Sequence, residues 1–155
     1  MTKTQPVHGY DTHLLWQGST AAGYRAYPRQ HRAVAPPAAE IRLSADPHFR
    51  GDAQFMNPEQ LLVMAASSCQ LLAFLALAAR EGIDVLGYED EAHGDMPEGG
   101  ARLRLTRITL TPTVTVAAGT DRLFVERLVH EAHDDCYIAN SLTSQINLEP
   151  TVVTA

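Results

Sequence analysis

The chain has 155 residues, 45% of them hydrophobic and 19% charged, with a formal net charge of −6. That length supports one domain with its own core and no need of staples or metal. The acidic balance leaves no basic footprint for nucleic acid or an anionic membrane surface. The amino-terminal MTKTQPVHGYDTH has no apolar run between a basic head and a small-residue cleavage site, which places the chain in the cytoplasm as an expectation. Thiols are kept reduced there, so any bond between its two cysteines, Cys69 and Cys136, is expected to be transient and redox-active.

The first third reads as a three-stranded meander. Short extended runs at 13–17, 22–34 and 40–44 are separated by Gly18-Ser19-Thr20 and by Pro36-Pro37. The stretch SADPHFRGDAQFM has no apolar period and is predicted to be a long loop. A helix then starts with Asn57 as N-cap, Pro58 at its first position and Glu59 in the first turn, and it stops at Gly82. Between Leu61 and Ala79 its polar residues are Ser67, Ser68 and Gln70, so it is apolar nearly all round. A central run barely ~20 residues long, interrupted by three polar residues, argues against a membrane span. Burial on most sides, completed by a second subunit, is the expectation.

Two further strands are predicted at 84–96 and 102–116, the second with a bulge near Thr106-Arg107 that brings Ile108, Leu110, Val114 and Val116 to one face. Pro112 suggests an edge strand. An amphipathic helix over 121–137 repeats Leu128, Ala132 and Cys136 every four residues and turns Cys136 inward, and INLEPTVV closes the chain as a last strand.

Each cysteine thus falls in a helical pattern. Burial among Ala, Leu and Met disfavours a thiolate, so a reactive Cys69 requires a cation beside it. Arg25, Arg29, Arg32 and Arg50 are available in the first fifty residues, and Glu59 is the nearest carboxylate to anchor one. On one straight helix Glu59 and Cys69 stand ~15 Å apart along the axis and about 80° apart around it. A shared site therefore needs a second copy of the helix or the reach of a long Arg, and a dimer interface is the economical solution.

N-P-E-Q-L-L with S-S-C ten residues after its Glu, H-x-x-C-Y-I-A-N-S downstream, G-Y-x-x-Y-x-R-x-H at 23–31, S-A-D-P-x-F-R-G-D at 44–52 and V-x-x-Y-E-D-x-A-x-G at 85–94 cover most of the chain. Together they resemble the OsmC/Ohr family of organic hydroperoxide reductases. The resemblance implies an α+β fold: an N-terminal β-meander, a long buried central helix, further antiparallel strands and a second helix, in an intertwined homodimer. It implies a thiol peroxidase without a cofactor, in which Cys69 attacks the O–O bond, Cys136 resolves the sulfenic acid as a disulfide, and a dithiol reductant of lipoyl type or a small thiol reopens it. Arg29 and Glu59 match the family's active-site arginine and carboxylate, with Arg25 and Arg32 as flanking alternatives. Gln70 stands where many OsmC-branch members have His. Leu62, Met64, Leu72 and Phe74 are the candidate walls of a pocket favouring organic hydroperoxides.

Two other readings compete. His130, His133 and Cys136, with Asp134 or Asp135, form H-x-x-H-x-x-C, a possible zinc set on one helix. Alternatively, the chain keeps the fold without turnover and binds an apolar ligand.

Overall fold

The computed structural model describes residues 5–155; the first four residues of the amino-terminal segment lie outside the described residues. The chain, expected from its length to be one domain, divides into two compact units, 1–58 and 59–155.

In the first unit β1 (His13–Leu15), β2 (His31–Val34) and β3 (Ile41–Leu43) form an antiparallel sheet in the order β1-β2-β3. The meander is as expected, but the long strand predicted over 22–34 is not. Gly23, at φ 85°, and Pro28 interrupt it, residues 24–27 turn, and β2 begins at His31. Arg25 and Arg29 therefore precede the strand, and Arg32 lies within it.

The loop expected after β3 is a tightly bonded turn. Asp46 Oδ1 accepts from the backbone N–H and from Nδ1 of His48, each at 2.7 Å, and Ser44 Oγ accepts from the N–H of Asp52 at 3.1 Å. The His48 N–H is the main cause holding the Asp46 carboxyl below its ordinary range. Gly51 is required by space: a Cβ there would sit 1.6 Å from the carbonyl oxygen of Ala45.

The second unit is built on α1 (Pro58–Arg80), which starts at the predicted Pro and is stopped by Gly82 at φ 70°. Ala66, Gln70, Phe74 and Ala78, four apart, form its buried stripe. Burial on most sides is not reached within one chain: Met64 and Leu72 on another side are 52% and 64% exposed. The helix is long and apolar enough to cross a membrane, yet its stripe packs into the protein core through a hydrogen-bonded glutamine.

Three extended ribbons pair beside it, each broken once. The predicted strand 84–96 is β4 (Val85–Asp90) and β5 (His93–Asp95), 102–116 is β6 (Arg107–Leu110) and β7 (Pro112–Val116), and the tail is β8 (Gln145–Leu148) and β9 (Thr151–Thr154). They form two sheets, β4-β7-β9 and β5-β6-β8. Register carries across the breaks: Leu110 pairs with Leu148 before the break and Thr113 with Thr151 after it. The first ribbon pairs antiparallel, as expected, whereas the tail runs parallel to the middle ribbon.

Pro112 is thus in a central strand, correcting the edge placement. It is the first residue of β7, where a missing N–H is tolerated. The bulge expected near Thr106-Arg107 is absent there, since strand structure begins at Arg107 and the irregularity lies between Val85 and Gly87.

Two apolar clusters fill the unit. Phe74 and Ala78 meet Val114, Val116 and the α2 (Arg122–Asp134) residues Val125, Leu128, Val129 and Ala132; Ala66 meets Ile108 and Leu110. The second helical pattern ends earlier than predicted. Cys136 lies just outside α2, in extended conformation, as the N-cap residue of α3 (Tyr137–Ser141).

Candidate functional site

The V-x-x-Y-E-D-x-A-x-G segment seats the N-terminal half of α1 against the sheet. Asp90 Oδ1 accepts the Thr111 N–H at 2.7 Å, bridging the break between β6 and β7, and its Oδ2 accepts the hydroxyl of Ser67 on α1. Ala92 packs on the Ala66 cluster. Gly94 lets the helix come close, since a Cβ there would lie 2.7 Å from Cγ2 of Val63.

Two residues after Ser67 stands Cys69, half-buried, and both cysteines are free thiols. Cys136 is 1% exposed. The inward orientation expected for it holds although it left the helix, because its neighbours Ala132 and Ile138 also face the core. The two thiols interact: burial, first, and the influence of Cys69 push the Cys136 thiol from 9.0 up to about 11, against the backbone N–H groups of Ala139 and Ile138, which favour its thiolate. A separation of 67 positions in sequence is thereby closed to thiol contact.

Gln70 is fully buried and joins the two helices. Its Nε2 donates to the Val129 carbonyl at 2.9 Å, and its Oε1 lies 3.3 Å from Nδ1 of His133. The sole sequence signal was a polar residue on the buried stripe at the spacing of Ala66 and Phe74.

That contact also corrects the zinc reading. His133 turns to Gln70, His130 is exposed and Cys136 has left the helix toward Cys69, so the three do not converge. Among the described residues no three His, Cys, Asp or Glu side chains are grouped to hold a metal ion.

The candidate pocket walls separate as well. Phe74 is completely buried in the core, and it and Met64 lie about 140° around the helix from Cys69. Leu62 and Leu72 remain on the cysteine's side, within about 60°.

Glu59 is half-buried in the first turn of α1, ten residues before Cys69. Arg29 belongs to the first unit, where its guanidinium donates to the Tyr27 carbonyl at 2.7 Å and to the Tyr24 carbonyl, and lies 3.7 Å from the centroid of the Tyr27 ring. Carbonyls and aromatic faces suit a planar guanidinium and fix its direction. Sequence reasoning missed this aromatic seat, although Y-x-x-Y-x-R was visible. Arg32 instead forms an exposed ion pair with Glu40 at 3.5 Å.

An OsmC-like protein of unknown function from Vibrio cholerae has a similar structure, with TM-score 0.84 and 27% identity over 94% of this chain and 100% of that one. The organic hydroperoxide resistance protein from Elizabethkingia anophelis is similar at TM-score 0.70 and 15% identity, covering 98% and 100% of the two chains. For OhrB of Bacillus subtilis the values are 0.61 and 16%, over 94% and 98%. At such identities the last two likenesses carry the fold alone. No curated protein matches. The family model described as OsmC-like protein matches residues 51–151, which include α1, both cysteines and the strands from β4 to β8, and the chain belongs to that family.

Proposed function

We propose that this protein is a thiol-dependent peroxidase that reduces organic hydroperoxides to alcohols in a reducing cytoplasm. The observation that carries the reading is the paired thiols, one half-buried and one buried, that interact with one another on an OsmC-like fold. Two of the similar structures are named as organic hydroperoxide resistance proteins.

Cys69, the more accessible, is the attacking residue. Its thiolate displaces alkoxide from the O–O bond and becomes a sulfenic acid; the alkoxide takes a proton and leaves as alcohol. Cys136, as thiolate, then attacks the Cys69 sulfur, hydroxide departs as water after protonation, and a disulfide forms. A dithiol reductant restores both thiols. Arg29 is assigned as the cation beside the Cys69 sulfur and Glu59 as its anchoring carboxylate, on their match to the family motifs. The spacing along α1 requires Glu59 to act through a second copy or through the length of an arginine.

A homodimer belongs to this reading. Met64, Leu72 and Leu75 leave α1 an exposed apolar side that a second copy of the helix would cover. Leu62 and Leu72 beside Cys69 favour an alkyl substrate over hydrogen peroxide, which gains nothing from leaving water.

The test is turnover with dithiothreitol as reductant. Tert-butyl or cumene hydroperoxide is expected to react faster than hydrogen peroxide; equal or reversed rates would remove the pocket argument. Absence of turnover with every peroxide would favour an apolar-ligand protein without catalysis.

A further inference from the structure

A fully buried side chain on a core helix is ordinarily apolar, yet the residue after Cys69 on α1 is Gln70. Burying an amide costs free energy that its hydrogen bonds offset, so a Leu would serve packing alone at least as well. Both ends of this amide are directed to one turn of α2. Its Nε2 donates to the Val129 carbonyl at 2.9 Å, which leaves Oε1 to Nδ1 of His133 at 3.3 Å, with the ring nitrogen as donor.

Cys136 hangs from that same turn. The His133 carbonyl accepts the Cys136 N–H at 3.1 Å, and the Asn140 side chain donates back to the Asp134 carbonyl at 2.9 Å, which closes the chain around the cysteine. Before Cys136, Val129 and Ala132 pack in one cluster with Phe74; after it, Ile138 and Leu142 pack on the cluster of Ala66. The stretch of α1 from Ala66 to Phe74, with Gln70 at its centre, thus meets the clusters that hold both flanks of Cys136. Apolar packing fixes how close these elements lie. Hydrogen bonds of set direction also fix how they are turned, and a satisfied buried network selects one arrangement.

We propose that Gln70, through its bonds to Val129 and His133, is a positioning residue that holds the Cys136 turn in register with Cys69 for formation of their disulfide. The proposal rests on the dithiol reading above. What the bridge raises is the effective concentration of one thiol at the other. Exchange with glutathione measures that quantity. The Cys69 thiolate attacks glutathione disulfide and releases one glutathione thiolate; the Cys136 thiolate attacks the mixed disulfide and releases the second. One S–S bond is broken and one formed, two electrons pass from the protein to glutathione, and the two protein thiol protons end on the glutathione released.

The test equilibrates the protein at neutral pH with mixtures of reduced and oxidised glutathione, so it does not depend on peroxide turnover, and reads the ratio of dithiol to disulfide by intact mass after acid quenching and alkylation. Gln70→Leu is expected to shift the equilibrium about fivefold toward the dithiol, the scale of a neutral hydrogen bond. His133→Phe removes the ring donor and keeps the amide, and should shift it about threefold in the same direction. Val125→Ala opens a cavity in the first turn of α2, far from Cys136 along the helix; it should lower the melting temperature and leave the equilibrium unmoved, because a loss common to both redox forms cancels. A Gln70→Leu equilibrium within about twofold of wild type, less than loss of a hydrogen bond produces, overturns the proposal. So does an equal shift in Val125→Ala, which would make Gln70 a general tie between helices. Should Gln70→Leu fail to fold, His133→Phe decides, and an equilibrium indistinguishable from wild type overturns the proposal. If the wild type forms no Cys69–Cys136 disulfide at any glutathione ratio, the dithiol reading itself fails, a result separate from these.

Discussion

The buried Cys136 thiol and the Cys69 thiol act on one another, although one residue lies on α1 and the other at the junction of α2 and α3. Neither thiol is then only a filler of space. The buried one is held protonated, by burial first and by the accessible one second.

One equivalent of organic hydroperoxide is accordingly expected to give an intramolecular Cys69–Cys136 disulfide. Cys69→Ser should lose turnover to background. Cys136→Ser should retain oxidation at Cys69 and stop at sulfenic acid or a mixed disulfide. Intact-mass spectrometry with and without a sulfenic-acid trap distinguishes the products; a wild-type protein left as two thiols would refute the pairing.

Stability of the reduced protein should fall in alkaline solution. The Cys136 thiol has an ordinary value of 9.0 and a folded value of about 11, so the folded state holds its proton more tightly than the unfolded state. The resulting stabilisation is complete below pH 9 and is lost as pH rises through about 11. Urea unfolding across that interval should show the decline, and Cys136→Ala should reduce it, leaving the part due to the buried Tyr88 phenol, whose pKa burial also raises.

Removing the Gln70 amide should loosen α1 from α2. Gln70→Leu deprives the Val129 carbonyl and the His133 ring of a buried partner and is expected to cost about 1–2 kcal/mol. A double-mutant cycle with His133→Ala isolates the ring contact; a coupling indistinguishable from zero would mean that the bond to Val129 acts alone.

Gly94→Ala should destabilise the fold by about 1–3 kcal/mol, because the added methyl meets Val63 and Leu105 where α1 lies on β5. Pairing it with Val63→Ala should recover part of the loss. Thermal unfolding that ranks the single variant equal to wild type would show that the helix yields without strain.

Arg29→Lys keeps the charge but loses the fork that bonds the Tyr27 and Tyr24 carbonyls and the plane that lies on the Tyr27 ring. Peroxidase turnover should drop about tenfold or more, with little change in melting temperature, if this guanidinium sets the state of the Cys69 sulfur as proposed. Arg32→Lys, at an exposed ion pair, provides the control.

Signals contained within a few residues could be read directly. Pro58 and Gly82 bound α1, and the strand predicted over 102–116 contains β6 and β7. Long-range partners could not be read in this way. A strand's period is the same whether its neighbour runs parallel or antiparallel, so the pairing of the tail with 107–116 was invisible, as was the placing of Pro112 at the head of a central strand. Helical periodicity turned Cys136 inward without revealing that the helix ends before it. Gln70 read as one polar residue among apolar ones until Val129 and His133 came within bonding distance. Contact between the two sulfurs depends on how α1, α2 and the sheet pack together, and folding sets that packing through burial and register across the whole unit.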